Sequence, residues 1–193
     1  MKRRITFNSP VVLSFVIISF GAMIANYLTA GVSNQLLFVT YHSSLASPMT
    51  YVRFFTHVLG HAGWNHYISN MTYMLLLGPM LEEKYGSRTL IEVILITGLM
   101  AGLVNWLLFP GVALCGASSV VFAFILMTSF TSFKEGEIPL TVILVAIIFI
   151  GQQVYEGLLV PDNISNMAHI VGGIVGAIAG YTSMKNTLAD CMR

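Results

Sequence analysis

Between Glu92 and Lys134 the chain runs for 41 residues without a formal charge, and Pro110-Gly111 interrupts the run near its middle. One crossing of a bilayer takes about 20 apolar residues. The run is therefore long enough for two crossings, with the Pro-Gly pair as the turn between them. A soluble fold has no place for it. Soluble domains carry about a quarter charged residues, whereas this chain of 193 residues carries 9% charged and 56% hydrophobic residues. No ordinary water-facing surface can be assembled from that inventory, so the chain is expected to lie in a membrane.

The remaining gaps between charges place the other spans. The expected helices cover residues 10–30, 64–82, 88–109, 118–133, 139–159 and 166–184, in one domain over 1–193, giving an all-α membrane protein. Met1-Lys2-Arg3-Arg4 followed by an apolar stretch has the flanks of a signal peptide, but the stretch exceeds the usual 7–15 residues; it is read as a first helix that stays. Gly31 to Thr50 holds Asn34, Gln35, His42 and Pro48 among aromatic residues, and is expected to lie in the interface plane. Lys134-Glu135-Gly136-Glu137 and Pro161-Asp162 mark the ends of the fourth and fifth helices. With six spans, Lys2, Arg3, Arg4, Lys84, Arg88, Lys134, Lys185 and Arg193 share one side and only Arg53 lies opposite, so both termini are expected in the cytoplasm. Cys115 and Cys191 do not make a disulfide framework.

Polar groups inside such spans need partners, because an unpartnered one costs a few kcal/mol. His169, Gly172, Gly176 and Gly180 fall on one face of the sixth helix, where the glycines let a second backbone approach. Gly116-Ala117-Ser118-Ser119 is the matching small-residue stretch at the start of the fourth. Packed face to face, the two stretches bring Ser118 to an imidazole able to take its proton. Each also has a plain structural reading, a packing stripe in one case and serines bonded back to carbonyls in the other. No acid is in place to orient the ring: Asp162 lies about 10 Å before His169 along a helix, and Glu156 farther. The expectation is therefore a Ser–His dyad held by packing, with Phe122 one turn after Ser118 stacking on the ring.

A third cluster contains His57, His61, His66 and Asn70. His57 and His61 have a spacing that suits zinc, but no His-Glu-x-x-His occurs, so metal is the weaker reading. His66 and Asn70 are better read as donors aimed where a negative oxygen develops, with His57 and His61 bracing the preceding loop or simply solvated.

Together these residues resemble the rhomboid family of intramembrane serine proteases, in its minimal six-helix bacterial form. The family's His-x4-His-x3-Asn is matched by His61, His66 and Asn70, and its Gly-x3-Glu by Gly78 and Glu82. Gly-x-Ser-Gly resembles Gly116-Ala117-Ser118, and Ala-His-x2-Gly-x3-Gly resembles Ala168, His169, Gly172 and Gly176. Three positions depart from the pattern: Ser119 stands for a glycine, Val52-Arg53 for a Trp-Arg pair, and Phe122 for a common tyrosine.

The resemblance implies a six-helix bundle with an interfacial first loop, in a bacterial cytoplasmic membrane. It implies Ser118 as nucleophile, His169 as base, and His66, Asn70 and the Ser118 amide as the oxyanion site. Gly116, Phe122, Arg53, His61, Glu82, Gly172 and Gly176 take supporting positions. Transmembrane proteins are the implied substrates, cut near the outer ends of their helices, with the fifth helix and the loop after it as the gate. No metal, cofactor, nucleic acid or particular oligomer is implied. The alternative from a binding class is a pseudoprotease that grips transmembrane helices without cutting. A small transporter would need charged or broken-helix sites at the midplane, and apart from His169 the last three helices offer none.

Overall fold

The structure is a computed structural model that describes residues 6–132, 137, 139–159 and 166–191. Lys134-Glu135-Gly136, Pro161-Asp162 and the basic residues Lys2, Arg3, Arg4 and Arg193 lie outside the described residues. Six α-helices follow in order: α1 (Pro10–Leu28), α2 (Pro48–Thr56), α3 (Trp64–Leu108), α4 (Ser118–Ser129), α5 (Leu140–Leu159) and α6 (Asn166–Cys191). A π-helical turn at Asn34–Phe38 precedes α2, and 3-10 turns at His57–Leu59 and Phe130–Ser132 follow α2 and α4. Among the described residues the fold is all-α, and its β pairing is an isolated antiparallel bridge between Thr40 and Leu114.

Helix α3 is 45 residues long but breaks at Gly86, whose φ of 82° and ψ of 155° are not helical. Unbroken, it would measure about 68 Å. Instead both ends reach one loop: Gly116 packs on the His66 ring near its start, and Asn105 Nδ2 near its end donates to the Val112 carbonyl at 2.9 Å. The helix must therefore double back. The sequence suggests a charged loop from Glu83 to Ser87 between two spans; the reversal is confined to Gly86, because glycine reaches a left-handed φ without penalty. Helix α2 is a further difference, since the sequence marks that stretch only by Arg53.

Glu82 fastens the first helix to the third. Its carboxylate accepts from Ser9 Oγ and from the backbone N–H groups of Val11 (3.0 Å) and Val12 (3.2 Å), which are unpaired within α1. An anion at a helix N-terminus is favoured by the macrodipole. Ser87 Oγ donates to the same carboxylate at 2.6 Å. One turn earlier, Gly78 has no Cβ where Val12 sits, so the two helices close together.

Helix α4 is the centre of the bundle. Val120, Val121, Ala123, Phe124, Leu126 and Met127 are all buried, around most of its circumference, as expected of a core helix. All but Leu126 join Val12 and Phe15 of α1 with Met71, Met74, Leu81, Leu90 and Val93 of α3 in one core. The outer faces are apolar too: Ile17, Ile18, Leu76, Ile96, Ile147 and Ile148 are exposed. Contiguous apolar surface on this scale is incompatible with water. By length and composition α1 and α3 can cross a membrane, while α4 and Leu140–Gln153 of α5 are shorter apolar helices.

Arg53 is buried and organises the segment before α2. Its guanidinium donates to the Tyr41 hydroxyl, to the Gln35 carbonyl and to Ser43 Oγ, and lies 4.3 Å from the centroid of the Tyr41 ring. Trp106 Nε1 donates to the Ser43 carbonyl at 3.0 Å, tying that segment to the end of α3. Val52, at the place of the family's tryptophan, is exposed.

Candidate active site

Helix packing delivers the two central side chains to one point. Gly172 and Gly176 of α6 face the carbonyl oxygens of Ser119 and Ala123 on α4, at positions where any Cβ would collide. Close backbone contact of this kind holds helices together where lipid removes the hydrophobic drive. It sets His169, one turn before Gly172, against Ser118, the first residue of α4. His169 Nε2 lies 2.9 Å from Ser118 Oγ.

The ring is held from two further sides. Phe122 packs on it with centroids 4.6 Å apart, and Phe149 of α5 packs on Phe122 at 4.5 Å. His169 Nδ1 lies 2.8 Å from Gln153 Oε1 of α5. This corrects the expectation of a histidine held by packing alone. A side-chain amide takes the place where a carboxylate was sought. Glu156 has no described side chain and Asp162 is outside the described residues. The signal was present in Gln152-Gln153, two adjacent amides in an apolar helix whose one formal charge is Glu156, a costly placement unless partnered.

On the other side of Ser118, Gly116 takes a φ of +124°, and a Cβ there would overlap the His66 imidazole. The missing side chain lets His66 lie directly over the backbone that leads into Ser118. Asn70 follows one turn later on α3. It is 6% exposed, and its Nδ2 has no protein partner. A buried amide donor left open is costly, and here it borders a cavity of about 670 Å³ lined by His66, Asn70, Ser118, Phe122, Gln152 and His169. At the start of α4 the amides of Ser118 and Ser119 precede the first intrahelical bond, made by Val121 to the Ala117 carbonyl, and add their dipoles to the same place.

The other expected residues stand farther out. His57 Nε2 donates to the Gly98 carbonyl at 2.9 Å, and the His57 carbonyl accepts from the Gly116 amide at 2.9 Å. His61 Nδ1 bonds the Leu59 carbonyl at 3.3 Å, while the ring meets His66 edge-on at 5.1 Å. These two imidazoles thus lie behind the site and brace it. Burial lowers both, to about 4 from the ordinary 6.5, and nearby His66 depresses His61 further. Ser119 is 2% exposed at the α4–α6 crossing, where its hydroxyl has no protein partner. Arg53 and Glu82 act on the frame, at the first connection and at the base of α1.

Fold and site define a class: an all-α bundle with a lipid-compatible exterior, enclosing a serine–histidine pair beside an internal cavity. The Rhomboid domain model matches residues 48–186. The chain is similar to Rhomboid-related protein 2 of Mus musculus, 33% identical over 161 residues, covering 72% of this chain and 52% of that protein. It is similar also to the chloroplastic Rhomboid-like protein 11 of Arabidopsis thaliana, 26% identical over 88% of this chain and 64% of that protein. Rhomboid protease GlpG of Haemophilus influenzae is 28% identical over 69% of this chain and 70% of its own length. The chain belongs to the rhomboid family, and is accordingly an integral membrane protein of a family that carries out intramembrane proteolysis. It spans about half the length of the mouse relative.

Proposed function

We propose that this protein is an intramembrane serine endopeptidase that cleaves transmembrane helices, with Ser118 as nucleophile and His169 as general base. The observation that carries the reading is the 2.9 Å approach of Ser118 Oγ to His169 Nε2 at the wall of the cavity. The chain forms one domain of six spans, α3 supplying two through its reversal at Gly86, with both termini in the cytoplasm. Support for that orientation comes from the basic residues, eight against one across the six spans.

A peptide bond within a membrane helix is shielded and internally hydrogen-bonded, so the substrate must unwind locally to present a carbonyl. Ser118 Oγ attacks that carbon as its proton passes to His169 Nε2. The oxygen, now negative, is received by Asn70 Nδ2, the His66 ring and the Ser118 amide. The proton moves from His169 to the leaving amine, and water later releases the acyl group by the same route reversed. Donors fixed in a low-dielectric site stabilise the oxyanion without reorganising.

Purified protein in detergent or liposomes is expected to cut a reporter transmembrane substrate and to take up a fluorophosphonate at Ser118. Ser118→Ala abolishes both and Ser119→Ala retains both, while Asn70→Ala lowers turnover by roughly 10²–10³. Cleavage persisting in Ser118→Ala would remove Ser118 as nucleophile. A wild-type chain that binds substrate helices yet neither cuts nor labels would be a pseudoprotease.

A further inference from the structure

The environment of Gln153 gives this residue a task of its own. Its side chain is 2% exposed on α5, a helix that packs against α4 and α6. A carbonyl oxygen accepts and does not donate. At 2.8 Å from His169 Nδ1, Oε1 therefore requires the hydrogen to reside on Nδ1. That leaves the lone pair on Nε2, the atom that faces Ser118 Oγ. The opposite tautomer would place a donor against the serine and leave no base for its proton.

We propose that Gln153 is a positioning residue that fixes the Nδ1–H tautomer and the ring orientation of His169. The proposal rests on the Ser118–His169 reading above. When Nε2 takes the serine proton the ring becomes cationic, and the Nδ1–H bond to Oε1 becomes charge-assisted. The interaction therefore strengthens toward the transition state, and its loss falls on turnover more than on binding. An amide suits this position in a membrane helix. A carboxylate would add the cost of a buried charge while the ring is neutral, whereas the amide adds the smaller cost of one buried donor, Nε2, that has no protein partner.

The test uses full-length protein in liposomes and four variants. Gln153→Met keeps length and packing but removes the acceptor. It is expected to lower kcat about ten- to a hundredfold with KM nearly unchanged, less than the roughly 10⁴ lost when a protease triad carboxylate is altered. Fluorophosphonate labelling of Ser118 should slow in proportion. Gln153→Glu restores an acceptor oxygen and is expected to recover much of the lost kcat. Thr141→Val, an exposed polar residue of the same helix away from the cavity, serves as the control for polarity in α5 and should leave kcat unchanged. Full activity in Gln153→Met would overturn the proposal. So would equal losses in Gln153→Met and Gln153→Glu with a matching fall in thermal midpoint, which is the behaviour of a packing residue. Ser118→Ala separates the two readings: if it still cleaves, the dyad fails; if it is dead while Gln153→Met is fully active, only the role of Gln153 fails.

Discussion

At Gly116 a backbone of φ +124° and the nearness of the His66 ring make the same demand, a residue without Cβ. Any other side chain adopts that φ at a cost of about 1–3 kcal/mol and displaces the imidazole as well. Gly116→Ala is expected to reduce substrate cleavage at least tenfold while α4 and α6 stay packed. Gly111→Ala, where a Cβ meets nothing within 4 Å, should be silent in the same assay. At this scale the sequence was informative wherever a polar group had to explain its presence in an apolar span. Ser118, His169, His66 and Asn70 were legible on that ground, and the geometry brings them to one cavity. Gln153 meets the same criterion, but it is an amide at a place where a carboxylate is the usual partner of a catalytic histidine.

The α4–α6 crossing depends on two glycines against two carbonyl oxygens. Gly176→Leu forces the helices apart at Ala123, a form of overpacking that typically costs about 1–3 kcal/mol. A lower thermal midpoint in detergent, with loss of Ser118 labelling, is the expected outcome. Gly151→Leu on the exposed face of α5 should leave both unchanged, since nothing lies within 4 Å of that position. Helix existence was legible at this scale from charge gaps and length. The reversal was legible only to within residues 83–87; its confinement to Gly86 was not, because helical residues continue on both sides and only the φ of one residue departs. Nor was the carboxylate cap on α1. Glu82 lies more than 70 residues from Val11, and nothing local in the sequence connects them.

For the molecule as a whole, His57 and His61 tie stability to pH. Both lie in the connection between α1 and α3, outside the spanning helices, and are held neutral in the fold with values near 4 against 6.5 when free. From pH 6.5 down to 4 the unfolded chain binds protons that the native one refuses, so stability falls as pH falls and is fully present above about 6.5. The shift of 6.5 to 4 corresponds to roughly 3 kcal/mol for each ring at its full extent. Thermal midpoints recorded from pH 7.5 to 4.5 should decline along that window. His57→Gln, which retains a donor for the Gly98 carbonyl, should flatten the decline; an equally steep curve would remove His57 as its source.

Length, charge spacing and isolated polar residues acted along one dimension, and they sufficed to make this an all-α membrane chain with a short set of candidate residues. Those signals are local, since each reflects whether a given stretch can leave water. Tertiary structure alone decided which nitrogen of His169 faces the serine, what holds the other, and that Glu82 caps the start of α1. Each of those depends on distances between residues far apart in the chain, and such distances exist only once the helices have packed.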